Sequence, residues 1–212
     1  MTSFKLLAQP WWVNLLIIIP MIIFARWRTT GLQMSRRQLL GIAVFALAFG
    51  FVEAAVVVYL RAAVGLLPGV QGTLTDVQRS AHEFYEQAQS LQHFPQSLLT
   101  VEVIREAATL IMLVSLAWLS DTRARERWAT FLWAFAVWDL AYYAGLWATV
   151  RWPSSFKDLD VLFLIPVPWL AQIWFPFVVS SLTLVAIALC TRKMPQNVGV
   201  TEYISSNPRP DY

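Results

Sequence analysis

Ser97–Leu119, SLLTVEVIREAATLIMLVSLAWL, is apolar enough to cross a bilayer, yet it carries Glu102, Arg105 and Glu106 close to one end. At about 100° per residue, Glu102, Glu106 and Thr109 share one face of the helix this stretch predicts, with Arg105 about 60° to the side. An ionisable residue at membrane depth costs roughly 2.5–3.5 kcal/mol on insertion scales. The charged stripe therefore faces protein or water, and the rest of the chain has to supply its partners.

Composition sets the class. Of the 212 residues 58% are hydrophobic and 14% charged, and the mean hydropathy is +0.54, against about 25% charged in a typical soluble domain. The chain reads as an all-α polytopic integral membrane protein. Among the 11 tryptophans, Trp11, Trp12, Trp118, Trp128, Trp152 and Trp169 fall where apolar runs end, the level at which indoles anchor to headgroups. The formal charge of +3 comes from arginines in short loops and is an orientation signal, so no nucleic-acid partner is implied. A single cysteine, Cys190, excludes an internal disulfide and leaves an iron-sulfur cluster without ligands.

Five spans follow in order, at about 10–27, 39–60, 97–119, 129–150 and 170–190. The first contains Asn14 and Pro20 and is expected to kink at the proline. With Lys5 as the only early charge and no small-residue cleavage site behind it, this run reads as a span and not as a signal peptide. Arg26, Arg28, Arg36 and Arg37 follow the first span, Arg123, Arg125 and Arg127 follow the third, and Arg192 and Lys193 follow the fifth. By the positive-inside rule these mark the cytoplasmic side of a bacterial-type inner membrane, with the N-terminus outside and the C-terminus inside. Residues 1–193 form one helical domain, and 194–212, proline-bearing and without periodicity, form a mobile cytoplasmic tail. Two outer segments are more than loops. Val77, Ala81, Phe84, Ala88 and Leu91 recur at spacings of four and three, which predicts an amphipathic helix over about 75–92. WPSSFKDLDVLFLIPVPWL, broken by Pro166 and Pro168, is too short to span and reads as an interfacial or re-entrant cap before the last helix.

Orientation gathers the charges. At about 1.5 Å per residue, Glu102 lies roughly 6 Å below the outer boundary, Glu53 and Glu106 roughly 12 Å, and Asp139 roughly 16 Å. Tyr142 and Tyr143 flank Asp139 on its helix, and Ala46 and Gly50 beside Glu53 are small enough to let helices approach closely. The expected constellation is Glu53, Arg61, Glu102, Arg105, Glu106, Asp139, Tyr142 and Tyr143. Four carboxylates against two guanidiniums leave negative charge to be neutralised by protons, a metal cation or a basic group from elsewhere. The candidate metal ligands are Glu53, Glu102, Glu106 and Asp139. Three readings stay open: a structural clamp between helices, a ligand, proton or cation site, and a catalytic site. His82 and His93 read as surface residues, and with no histidine in a span the chain cannot ligate a haem through two of its own. No GxSxG, HExxH, Walker or GxGxxG pattern occurs. The expected function is that of a membrane subunit of a larger inner-membrane complex, its outward-facing site binding protons, a cation or a polar head group. The alternative is an intramembrane enzyme or small carrier using the same carboxylates with a metal ion or a lipid or quinone substrate.

Overall fold

The computed structural model describes residues 8–63 and 96–191. The expected amphipathic helix at 75–92, with His82 and His93, and the tail at 194–212 lie outside the described residues. The described chain is mostly helical. A 3-10 helix (Trp11–Ile17) leads into α1 (Ile18–Trp27), followed by α2 (Arg36–Ala63), α3 (Gln96–Ser120), α4 (Ala124–Val150) and α5 (Trp174–Thr191). Three helices among the described residues are long and apolar enough to cross a membrane, over Arg36–Tyr59, Ser97–Ser120 and Trp174–Thr191. α4 is longer than the last of these but less apolar, because it carries Arg125, Glu126, Arg127 and Asp139. It is also the hub: α2, α3 and α5 all pack against it, and a helix shielded by neighbours can hold polar side chains that lipid would not accept.

The closest of these contacts, α2 on α4, rests on two glycines. A Cβ added at Gly50 would lie 2.6 Å from the Trp138 carbonyl oxygen and 2.7 Å from Ala141 Cβ, and one at Gly145 would lie 2.9 Å from Ala54 Cβ. Ala46 and Ala54 are fully buried in the same seam. Small residues at the crossing let the backbones meet, which is how helices associate where lipid offers no hydrophobic drive.

The first apolar run is wound as a 3-10 helix up to Ile17, and Pro20 falls in the first turn of α1, where a missing N–H is tolerated. One expectation is corrected: the fold is not purely helical. β1 (Ala8–Gln9), β2 (Leu159–Phe163) and β3 (Trp169–Gln172) form an antiparallel sheet in the order β1-β3-β2, with Ala8 opposite Ala171 and Asp160 opposite Ala171 on its other side. The segment taken as an interfacial or re-entrant cap is thus a hairpin with Pro166 and Pro168 in its turn. The residues assigned to the start of the last span are β3, and the helix begins at Trp174. Asn14 holds β1 in place, accepting from Ala8 N–H at 2.9 Å and donating to Ala8 O at 2.8 Å. Since an open sheet edge has no place in hydrocarbon, the sheet belongs at one end of the bundle. The aromatic residues divide accordingly. Trp11, Trp118 and Trp128 are exposed as anchors would be, whereas Trp152 is buried and Trp12 packs edge-on against Trp169 at 5.0 Å as part of the sheet's core.

The opposite end carries the arginines. Glu126, in the first turn of α4 ahead of the apolar run, is 0% exposed. It accepts from the Arg125 guanidinium at 2.8 Å and from the Gln33 amide at 3.4 Å, while Arg123 bonds the Gln33 side chain, so loop and helix are tied together. Burial pushes the Glu126 carboxyl up, but the Arg125 hydrogen bond and the backbone amides outweigh it and hold it below the usual carboxylate range. A carboxyl held low when folded contributes stability that is complete above its unfolded value of about 4.3 and is lost as pH falls through the folded value. Glu126→Gln should therefore be less stable than wild type at pH 7, and the difference should close on acidification. Melting temperatures of both proteins between pH 7 and pH 3 check this.

Candidate functional site

At the sheet end, α3, α4 and β2 enclose a cavity of about 50 Å³. Arg105, Glu106 and Thr109 reach it from α3, and Trp138, Asp139, Tyr142 and Tyr143 from α4. Asp160 and the run Val161–Phe163 close it from β2. Helix geometry places these groups. Residues 105, 106 and 109 share one side of α3, and 138, 139, 142 and 143 follow the spacing of three and four that faces one neighbour. The hairpin then folds over the gap between the two helices.

Two carboxylates share Arg105, and the others turn to separate neutral donors. Arg105 donates from Nη1 to Glu53, and from Nε and Nη2 to Glu102 Oε2 at 3.0 and 2.7 Å. Thr109 donates to the other Glu53 oxygen at 2.5 Å. Glu53 on α2 is thereby fixed to α3. Glu106, on the same face as Glu102, turns instead to the hairpin and accepts the Leu164 N–H at 2.8 Å. Asp139 accepts the Ser180 hydroxyl from α5 at 2.7 Å. Asp160 accepts the Tyr143 hydroxyl at 2.8 Å. Glu106 and Asp139 thus accept from neutral donors, while the guanidinium among the described lining residues is engaged by Glu53 and Glu102.

Of the residues expected from the sequence, Arg105, Glu106, Asp139, Tyr142 and Tyr143 come together at this cavity. Glu53 and Glu102 join it through Arg105. Arg61 lies in the last turn of α2, and its side chain is outside the described residues. Of the four carboxylates considered as metal ligands, Glu53 and Glu102 share Arg105 while Glu106 and Asp139 turn to Leu164 and Ser180, and among the described residues no three His, Cys, Asp or Glu side chains converge as metal ligands would. Three participants were not foreseen. Asp160 stands just ahead of a nearly unbroken apolar run, and its pairing with a phenol seventeen residues earlier leaves no local trace. Ser180 sits in the most apolar helix, where an inward hydroxyl was the available signal. Trp138 is 7% exposed, and its indole N–H is buried with no acceptor among the described residues.

Beyond the cavity toward the arginine-rich end the packing is apolar, through Ile42, Ala46, Leu113, Ala134, Ala186 and Ile187. The polar chamber is capped by the hairpin at one end and rests on this core at the other. No protein-family model, curated protein or solved structure matches the chain.

Proposed function

We propose that this protein is the binding component of a larger inner-membrane assembly, and that its cavity takes up a proton or a positively charged group from the outer side. The observation that carries the reading is the charge balance of Glu106 and Asp139: both line the cavity and accept from neutral donors, while the guanidinium among its described lining residues is already held by Glu53 and Glu102. Buried negative charge without a counter-ion is costly, so the site favours whatever brings positive charge. The apolar core behind the chamber supports binding over passage across the membrane.

Five spans with the N-terminus outside remain the proposed topology. A 3-10 stretch rises about 2.0 Å per residue, so Trp11–Trp27 extends about 29 Å, close to the roughly 30 Å of a hydrocarbon core. α4, shielded by three neighbours, needs less apolar character than a lipid-facing helix. With the arginine-rich end cytoplasmic, the sheet and the cavity lie on the outer side.

The test replaces charge and keeps hydrogen bonding. Glu106→Gln still offers an acceptor to Leu164, and Asp139→Asn one to Ser180. Acids kept for binding are held at the expense of stability, so each amide variant is expected to melt at or above the wild-type temperature in detergent. A loss of more than about 1 kcal/mol in either variant, the worth of a hydrogen bond, would make these acids structural clamps and overturn the binding-site reading.

A further inference from the structure

We propose that the occupant of the cavity is a primary ammonium group, an inference that rests on the binding-site reading above. Glu106 and Asp139 are 8% and 9% exposed. Each accepts a hydrogen bond from a neutral donor through one oxygen, and among the described residues no donor reaches Glu106 Oε1 or Asp139 Oδ1, although both residues line the cavity. Two acceptor oxygens on opposite helices are therefore left for a donor that enters the cavity, and Arg105 cannot serve, since Glu53 and Glu102 hold it. An –NH3+ group brings three N–H donors and the missing charge together.

The walls select among cations. A divalent metal needs several oxygen ligands converging on one point, and the described residues offer no such group of three. Aromatic rings, by contrast, crowd this cavity. Trp138 and Tyr142 stack with centroids 6.1 Å apart, Phe163 lies 6.3 Å from Trp138, and all three line the space. Ring faces attract ammonium ions, most strongly where water is excluded. About 50 Å³ leaves room for the –CH2–NH3+ end of an amine, and a quaternary ammonium, which has no N–H, could donate to neither carboxylate. The buried Trp138 N–H, without an acceptor among the described residues, is matched by an oxygen of the occupant or a water beside it.

Primary ammonium reaches the outer side of a membrane from two sources, a free small amine or the headgroup of an ethanolamine lipid. The full chain, purified in detergent, is titrated with ethylammonium chloride while tryptophan fluorescence and melting temperature are followed, with sodium chloride and tetramethylammonium chloride at equal ionic strength as controls. Saturable binding and a raised melting temperature with ethylammonium alone are expected, weakened at least about tenfold in Asp139→Asn and in Glu106→Gln. Equal responses to the three salts, or amide variants that bind as wild type does, would overturn the proposal. If the amide variants keep their stability and ethylammonium still fails to bind, the ligand class falls and the binding-site reading stands. If they lose stability, both fall. Nanodiscs identify the source of the bound group. Higher stability in phosphatidylethanolamine than in phosphatidylglycerol discs, with no further gain from ethylammonium, supports the lipid. Equal stability in the two, with the ethylammonium gain kept in both, supports the free amine.

Discussion

Arg105→Ala is expected to cost about 3–5 kcal/mol of stability, the usual penalty for removing one partner of a buried ion pair. Glu53 is the reason. Its side chain is only 6% exposed and depends on Arg105 for its positive charge, with Thr109 supplying the other hydrogen bond. Without the guanidinium, an unpaired carboxylate remains between α2 and α3, and the helices either part or the carboxylate takes up a proton. The loss should be relieved in Arg105→Ala with Glu53→Gln, because the second change removes the stranded charge and retains an acceptor for Thr109. Pairing Arg105→Ala with Glu106→Gln should bring much less relief, since Glu106 bonds the Leu164 amide and not Arg105. Denaturation of the single and double variants in detergent measures both cycles. Additive effects in the Glu53 cycle would mean that the two residues act independently.

Gly50→Val is expected to be the next most damaging change, at about 1–3 kcal/mol from overpacking. The new Cβ would lie 2.6 Å from a carbonyl oxygen of the α4 backbone, an atom that cannot swing aside as a side-chain tip can. α2 must then move away from α4. The displacement falls beside Trp138 and Tyr142, which stack at 6.1 Å and line the cavity. A lower melting temperature should therefore be accompanied by a changed tryptophan emission spectrum. Gly41, where an added Cβ meets nothing within 4 Å, serves as the control: Gly41→Val should leave the spectrum as it is.

Helix period and the cost of charge in lipid made much of this architecture legible from the residues alone. The membrane class and the helices around Glu53, Glu102 and Asp139 follow from apolar runs interrupted by single acids. The small face of α2 at Ala46 and Gly50 is likewise a local pattern, and it meets α4 as that pattern implies. Spacing on one helix also grouped Glu102, Arg105, Glu106 and Thr109. What one helix cannot state is how such a group divides among its neighbours. Glu106 lies one turn from Glu102 on the same face, but it bonds a hairpin amide, whereas Glu102 holds Arg105.

The hairpin was hidden for a related reason. DVLFLIPVPWL is apolar at nearly every position, so the alternation that marks a strand is absent, and its pairing with β1 links residues more than 150 positions apart. Asp160 became a cavity residue through the β2–β3 hairpin, in which it stands opposite Ala171. The residues by themselves determined that this chain would enter a membrane and bring buried acids with it, because hydropathy and helical spacing are local properties. Which acids meet Arg105 and which turn to neutral donors at the cavity was decided by the packing of α2, α3 and α5 on α4 and by the strand that closes the chamber. These are contacts between distant segments, and no local pattern encodes them.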